Sequence, residues 1–143
     1  MSRIDRITLE HVEFIPDVLE TGVLYVSDRY QTASHLCCCG CGMEVVTPLN
    51  PVRWQLREEE GAAWLYPSIG NSSFECRSHY WIQRGKVVWA KQMSPSMIAA
   101  ARYSDQIDAE QYFAKSDVGL IGRILRGLGS ASRSVLRLLG IGK

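Results

Sequence analysis

A chain of 143 residues is long enough to bury one real core and too short for two domains with a linker. With 46% hydrophobic residues, 22% charged residues and a formal net charge of +1, it has the make-up of an ordinary cytoplasmic protein, which excludes a partner chosen by bulk charge. Behind Met1-Ser2-Arg3-Ile4-Asp5-Arg6 no long apolar stretch follows, so no secretory leader is expected.

Up to about Trp89 the chain reads as short strands between turn signals, with β-branched and aromatic residues grouped between Gly, Pro, Asn and Asp. Residues 22–27 form the first expected strand. A cysteine-rich turn follows, and residues 44–49 leave it as another strand, stopped by Asn50-Pro51. Residues 52–56 alternate with period two, and the polar run 57–61 separates them from 63–66, a candidate hairpin. Pro67-Ser68-Ile69-Gly70-Asn71 then reads as a loop. The clearest hairpin joins residues 80–83 to 86–89 through Arg84-Gly85, a pair suited to a tight turn. It sets His79 at the mouth of a strand.

After Trp89 the propensities change. Ser94-Pro95 can cap and start a helix continued by residues 97–101, and residues 105–115 offer a further one. The expected organisation is a zinc-binding β domain over 1–92, a helical extension over 93–116 and a basic amphipathic tail over 117–143. The fold class is α+β: a small, mainly antiparallel β domain stapled by a zinc site, followed by C-terminal helices. In the tail Asp117 is the only acidic residue, against Arg123, Arg126, Arg133, Arg137 and Lys143. Such a segment can pack on the domain, dock into a partner groove or lie on an anionic membrane surface, but it falls short of the roughly 20 apolar residues that span a bilayer.

Four of the five cysteines stand within Cys37-Cys38-Cys39-Gly40-Cys41, and the fifth, Cys76, precedes His79 by three residues. Structural zinc takes four soft or borderline ligands in a tetrahedron, often from two turns. Cys39-Gly40-Cys41-Gly42 can supply one pair, its glycines permitting left-handed backbone, and Cys76-Arg77-Ser78-His79 the other. The preferred set is Cys39, Cys41, Cys76 and His79, with Cys37 in reserve; Cys37 or Cys38 can also replace Cys39, and three-plus-one arrangements stay open. A disulfide framework fits worse, since adjacent cysteines rarely meet its geometry and an odd number leaves a thiol over.

Ser34-His35-Leu36-Cys37-Cys38-Cys39-Gly40-Cys41-Gly42, then Pro67-Ser68-Ile69-Gly70-Asn71, then Cys76-Arg77-Ser78-His79-Tyr80-Trp81-Ile82 resemble a bacterial zinc-binding family. Its members carry an H-x-C-x-C-G-C turn and a C-x-S-H-[FY]-W-I strand and occur near genes for bacterial ubiquitin-like proteins and their activating and conjugating enzymes. The resemblance covers roughly residues 20 to 92. It implies Cys37, Cys39, Cys41, Cys76 and His79 as the metal set, leaves Cys38 as a departure, and implies a role in a ubiquitin-like modification pathway. The partners it implies are the ubiquitin-like protein or its E1- and E2-like enzymes. The tail lies outside it.

Two functions follow as expectations. The first is a peptidase that trims a ubiquitin-like precursor or removes the modifier from its target. A thiolate-rich zinc is a poor Lewis acid, so a serine mechanism is the better candidate: His35 as the base, Ser68 as nucleophile with backbone amides near Gly70 and Asn71 as oxyanion donors, and Ser78 as its rival. Against these stand structural readings, in which a serine beside a zinc ligand hydrogen-bonds the sulfur cage and a histidine before a cysteine turn packs or bonds backbone. The second function is a zinc-stapled adaptor binding the modifier or its conjugating enzymes, with Trp54, Trp64, Trp81 and Trp89 either core or anchors. Nucleic-acid binding is disfavoured, because no recognition-helix spacing accompanies the ligands.

Overall fold

The structure is a computed structural model that describes residues 2–115. The basic tail over 117–143 lies outside the described residues. The described residues hold eight strands: β1 (Thr8–His11), β2 (Val23–Ser27), β3 (Thr32–Leu36), β4 (Glu44–Pro48), β5 (Gln55–Glu59), β6 (Ala62–Gly70), β7 (His79–Gln83) and β8 (Lys86–Trp89). They form two four-stranded sheets, ordered β1-β2-β3-β4 and β5-β6-β7-β8. Every pairing is antiparallel except that of β1 with β2. The α+β expectation holds, with one C-terminal helix among the described residues, α1, over 95–115.

Period-two alternation decides which side chains face inward. Along β7, Tyr80 and Ile82 are buried while His79 and Trp81 stand on the other face; β8 contributes Val87 and β6 contributes Ala63, Leu65 and Ile69. Leu24, Val26, Ala33 and Val45 of the first sheet join them in one cluster, which also takes in Cys37 and Cys38. The chain start runs between the sheets: Ile7 N–H donates to the Gly85 carbonyl and Val87 N–H to that of Asp5, both at 2.9 Å.

The β7–β8 hairpin follows the sequence expectation. Arg84 and Gly85 both have positive φ, 50° and 68°, the pair of left-handed residues whose twist matches flanking strands. The β5–β6 hairpin is shifted from its expected place, since the polar run is itself β5 and the turn is Glu60-Gly61, with φ of 53° and 74°. Residues 67–71, expected as a loop, lie largely inside β6, which continues to Gly70.

The strand is broken in register instead. Leu65 pairs with Ile82 and Ile69 with Tyr80, so Tyr66, Pro67 and Ser68 together lie opposite Trp81. Proline cannot donate to a ladder, and a bulge is the usual way to house it within a sheet.

Helix α1 begins as expected: Ser94 Oγ accepts the Met97 amide at 3.3 Å, and Pro95 occupies the first helical position. By internal contacts the chain divides at Asp105 into two units, the first holding both sheets. No helix among the described residues is long and apolar enough to cross a membrane.

Candidate functional site

The turn between β3 and β4 folds back tightly: Cys37 N–H donates to the Met43 carbonyl at 2.8 Å, and Gly40 N–H to that of Cys37 at 3.0 Å. Gly40 and Gly42 have φ of 82° and 79°, angles that side chains resist. This turn presents Cys37, Cys39 and Cys41 to Cys76, which arrives from the β6–β7 loop, and the four sulfurs lie within 4.8 Å of one another. The cluster therefore ties one sheet to the other. All five cysteines are free thiols.

The spacing fits a tetrahedral ion. Thiolates ~2.3 Å from a central metal are ~3.8 Å apart along each edge; here Cys37–Cys39 is 3.4 Å, Cys41–Cys76 is 3.8 Å and Cys37–Cys76 is 4.0 Å. Four cysteines together could hold a metal ion. Cys38 points the other way into the core, wholly buried, and burial pushes its thiol up to about 12.

Around the sulfurs sits a polar collar. Asn71 Nδ2 donates to Ser78 Oγ at 2.9 Å and to Cys37 Sγ at 3.4 Å, while Ser78 Oγ lies 3.1 Å from Cys37 Sγ and 3.6 Å from Cys76 Sγ. Burial raises the thiols of Cys39 and Cys41. It pushes Cys76 up as well, but hydrogen bonds from the Ser78 side chain and backbone outweigh it and bring that thiol down to about 7. A metal bound here would displace protons from the thiols that take it up.

His79 does not join this cluster. Its Nε2 is 2.9 Å from Ser68 Oγ and its Nδ1 is 2.9 Å from the Lys91 carbonyl oxygen. A carbonyl can only accept, so Nδ1 carries the proton, Nε2 is the acceptor and the Ser68 hydroxyl donates to it. Of the expected metal set, Cys37, Cys39, Cys41 and Cys76 come together, and His79 lies apart from them.

Strand geometry explains the pairing. His79 lies directly across from Gly70, which offers no side chain, and Ser68 stands two residues along β6 on the bulge. Diagonal cross-strand neighbours of this kind are within reach of a ring. Trp81 packs beside the imidazole, with centroids 5.4 Å apart. Ser68 and His79 are both half-buried.

The other sequence candidates sit elsewhere. His35 is fully buried, its Nε2 2.9 Å from the Tyr80 hydroxyl and its Nδ1 without a partner; burial lowers it to about 4. It bonds neither Ser68 nor Ser78. Ser78 belongs to the sulfur collar. The Asn71 amide, an expected oxyanion donor, already donates to the Ser78 carbonyl at 2.9 Å. All four tryptophans are partly buried; Trp54 and Trp89 pack against the core. Sequence reasoning missed the Lys91 carbonyl, which no side-chain pattern announces, and the Asn71 side chain, whose signal was its place in the motif string after Ser68.

No curated protein and no solved structure matches the chain. A family model described as bacterial ubiquitination-like system serine protease (BubE) matches residues 11–90, a stretch from the last residue of β1 to one past β8. It takes in the whole sulfur cluster together with Ser68 and His79. Matched over more than half of its length, the chain belongs to the BubE family of bacterial ubiquitination-like system serine proteases.

Proposed function

We propose that this protein is a serine peptidase that cuts at the C-terminal junction of a bacterial ubiquitin-like modifier, processing its precursor or releasing it from a conjugate. The observation that carries the reading is the relay from Ser68 through His79 to the Lys91 carbonyl, with both links at 2.9 Å. Cytoplasmic conditions suit it, because they keep the thiol cluster reduced.

In this reading Ser68 Oγ attacks the scissile carbonyl carbon as His79 Nε2 takes its proton. The tetrahedral intermediate collapses, the C–N bond breaks, and His79 returns the proton to the departing amine. Water then adds to the Ser68 ester, giving one proton to His79, and the ester C–O bond breaks as His79 reprotonates Ser68. Lys91 holds the ring in the tautomer that can accept from serine, a role commonly filled by a carboxylate. A neutral carbonyl orients the imidazole but steadies the imidazolium only by its dipole.

The metal belongs to the scaffold. Four thiolates fill a tetrahedral zinc completely, leaving no open position for substrate or water, and when bound it supplies a cross-link between the sheets. Cys76 and His79 stand three residues apart, so that cross-link also fixes the start of β7. Support for zinc comes from the all-sulfur donor set, which selects soft or borderline ions.

A fluorophosphonate probe tests the assignment. Labelling at Ser68, lost in His79→Ala and kept in His35→Ala, supports it; labelling at Ser78 or none in folded protein contradicts it. In the latter case co-elution with the modifier would favour the adaptor reading.

A further inference from the structure

Beside His79 lies a cleft of about 330 Å³ whose charged lining residues are Arg77 and Arg102, with no aspartate or glutamate. Arg77 stands two residues before His79, and Arg102 comes from α1. Met93 and Ile98 add an apolar wall. The cleft is therefore shaped for a group that is part aliphatic and part anionic.

Three other surface arginines have carboxylate partners, Arg29 with Glu13, Arg57 with Glu59 and Arg84 with Glu60, whereas Arg3, Arg6 and Arg53 have no such partner among the described residues. Arg77 and Arg102 have none among the described residues. Arg102 donates one N–H to Ser72 Oγ at 3.1 Å, which steadies the guanidinium and leaves its other donors free. A planar guanidinium matches the two oxygens of a carboxylate.

Arg77 is also held in a backbone conformation that side chains avoid, with φ of 43°. Its amide donates to the Phe74 carbonyl at 3.1 Å, and it is fixed between Cys76 in the sulfur cluster and Ser78 in the collar. Left-handed non-glycine residues persist where surrounding contacts over-determine them, often at binding sites. Four consecutive residues thus present a sulfur ligand, a free cation, a collar hydroxyl and the imidazole facing Ser68.

We propose that this cleft receives a carboxylate of the substrate, held by Arg77 and Arg102 near the scissile bond, and that the peptidase selects acidic segments by it. The inference rests on the reading of Ser68 and His79 as the catalytic pair. Two sources share this chemistry: an acidic side chain near the scissile bond, and the free C-terminal carboxylate of a short extension.

The test uses metal-loaded, full-length Ser68→Ala protein, so that binding is read without cleavage, and fluorescent peptides ending in the modifier's own C-terminal sequence. One peptide pair exchanges Glu for Gln beside the scissile bond; a second exchanges a terminal carboxylate for a carboxamide. The charged member of one pair should bind about tenfold or more tightly, and which pair responds names the source. That ratio should shrink with added salt and fall toward one in Arg102→Gln, a change remote in sequence from the cysteines, and in Arg77→Gln. Equal binding of both members of both pairs, or a ratio unchanged in both arginine variants, would overturn the inference. Cleavage by Ser68→Ala would instead sink the catalytic assignment, while the binding ratio would still decide the cleft.

Discussion

Ser68 Oγ lies 2.9 Å from His79 Nε2, brought there by a three-residue bulge against Trp81 and by the missing side chain of Gly70. The same imidazole is only three residues from Cys76, which faces the opposite task of holding sulfur to sulfur across two sheets. The sulfur cluster and the Ser68–His79 pair are therefore neighbours built from separate residues.

That separation predicts how metal content responds to substitution. Cys37→Ala and Cys76→Ala should lose the bound metal, while His79→Ala and Cys38→Ala should keep it, as read by elemental analysis. A cobalt-loaded His79→Ala protein should retain the absorption of a four-thiolate site.

Removing the metal should loosen the fold, because binding free energy at such a site is folding free energy, on the order of 10 kcal/mol in small zinc domains. A strong chelator should lower Tm sharply, with β7 and the cysteine turn losing hydrogen-exchange protection first. Asn71→Ala, which strips the collar, should weaken metal affinity about tenfold or more, measured by competition with a chelating dye.

The two histidines outside the pair should titrate in opposite directions. Glu58, at 2.9 Å, raises His11 above its ordinary 6.5, with Asp28 assisting. Pairing at His11 therefore stabilises the fold fully below pH 6.5 and fades as pH rises through the raised value. Burial lowers His35 to about 4. Above pH 6.5 it is neutral folded or unfolded, and as pH falls from 6.5 toward 4 only the unfolded form gains the proton, so stability is lost. The gap converts to roughly 3 kcal/mol. Imidazole nitrogen shifts followed by NMR should show His11 still charged at a pH where His35 has long been neutral, and Glu58→Gln should bring His11 down.

The β7–β8 turn carries His79's strand, and Gly85 is its constrained point. A Cβ there would meet the Ile7 carbonyl oxygen at 3.1 Å at a φ of 68°. Gly85→Ala should cost about 1–2 kcal/mol in denaturant unfolding.

Strands with strong local signals were legible in the sequence. Residues 80–89 alternate and turn at Arg84-Gly85, so β7 and β8 appear in their expected places. β3 was not, because Thr32, Ala33, Ser34 and His35 are small or polar, yet three of them are buried. Their burial depends on partners far along the chain, such as the Thr47 hydroxyl, which donates to the Ala33 carbonyl at 3.0 Å. β1 fails for a related reason, being mostly exposed and paired in parallel with β2.

The cysteine cluster was legible from spacing alone, since thiols this close in a glycine-rich turn are apt to meet. The placement of His79 beside Ser68 was not: a histidine three residues after a cysteine suits a ligand set equally well. What separates the two is the pleat of β7, which turns the ring toward Ser68, and the bulge that brings Ser68 across. The bulge was hidden because Pro67 reads as a loop signal, whereas here it sits within a continuing strand.

The most direct measurement mixes metal-loaded protein with a ubiquitin-like precursor and reads the products by mass. The wild type and folded His35→Ala should cut at the modifier's C-terminus. Cleavage should fall about 10³-fold or more in Ser68→Ala and in His79→Ala, with metal content unchanged in both. Undiminished cleavage by either variant, or loss of metal from His79→Ala, would contradict the Ser68–His79 assignment.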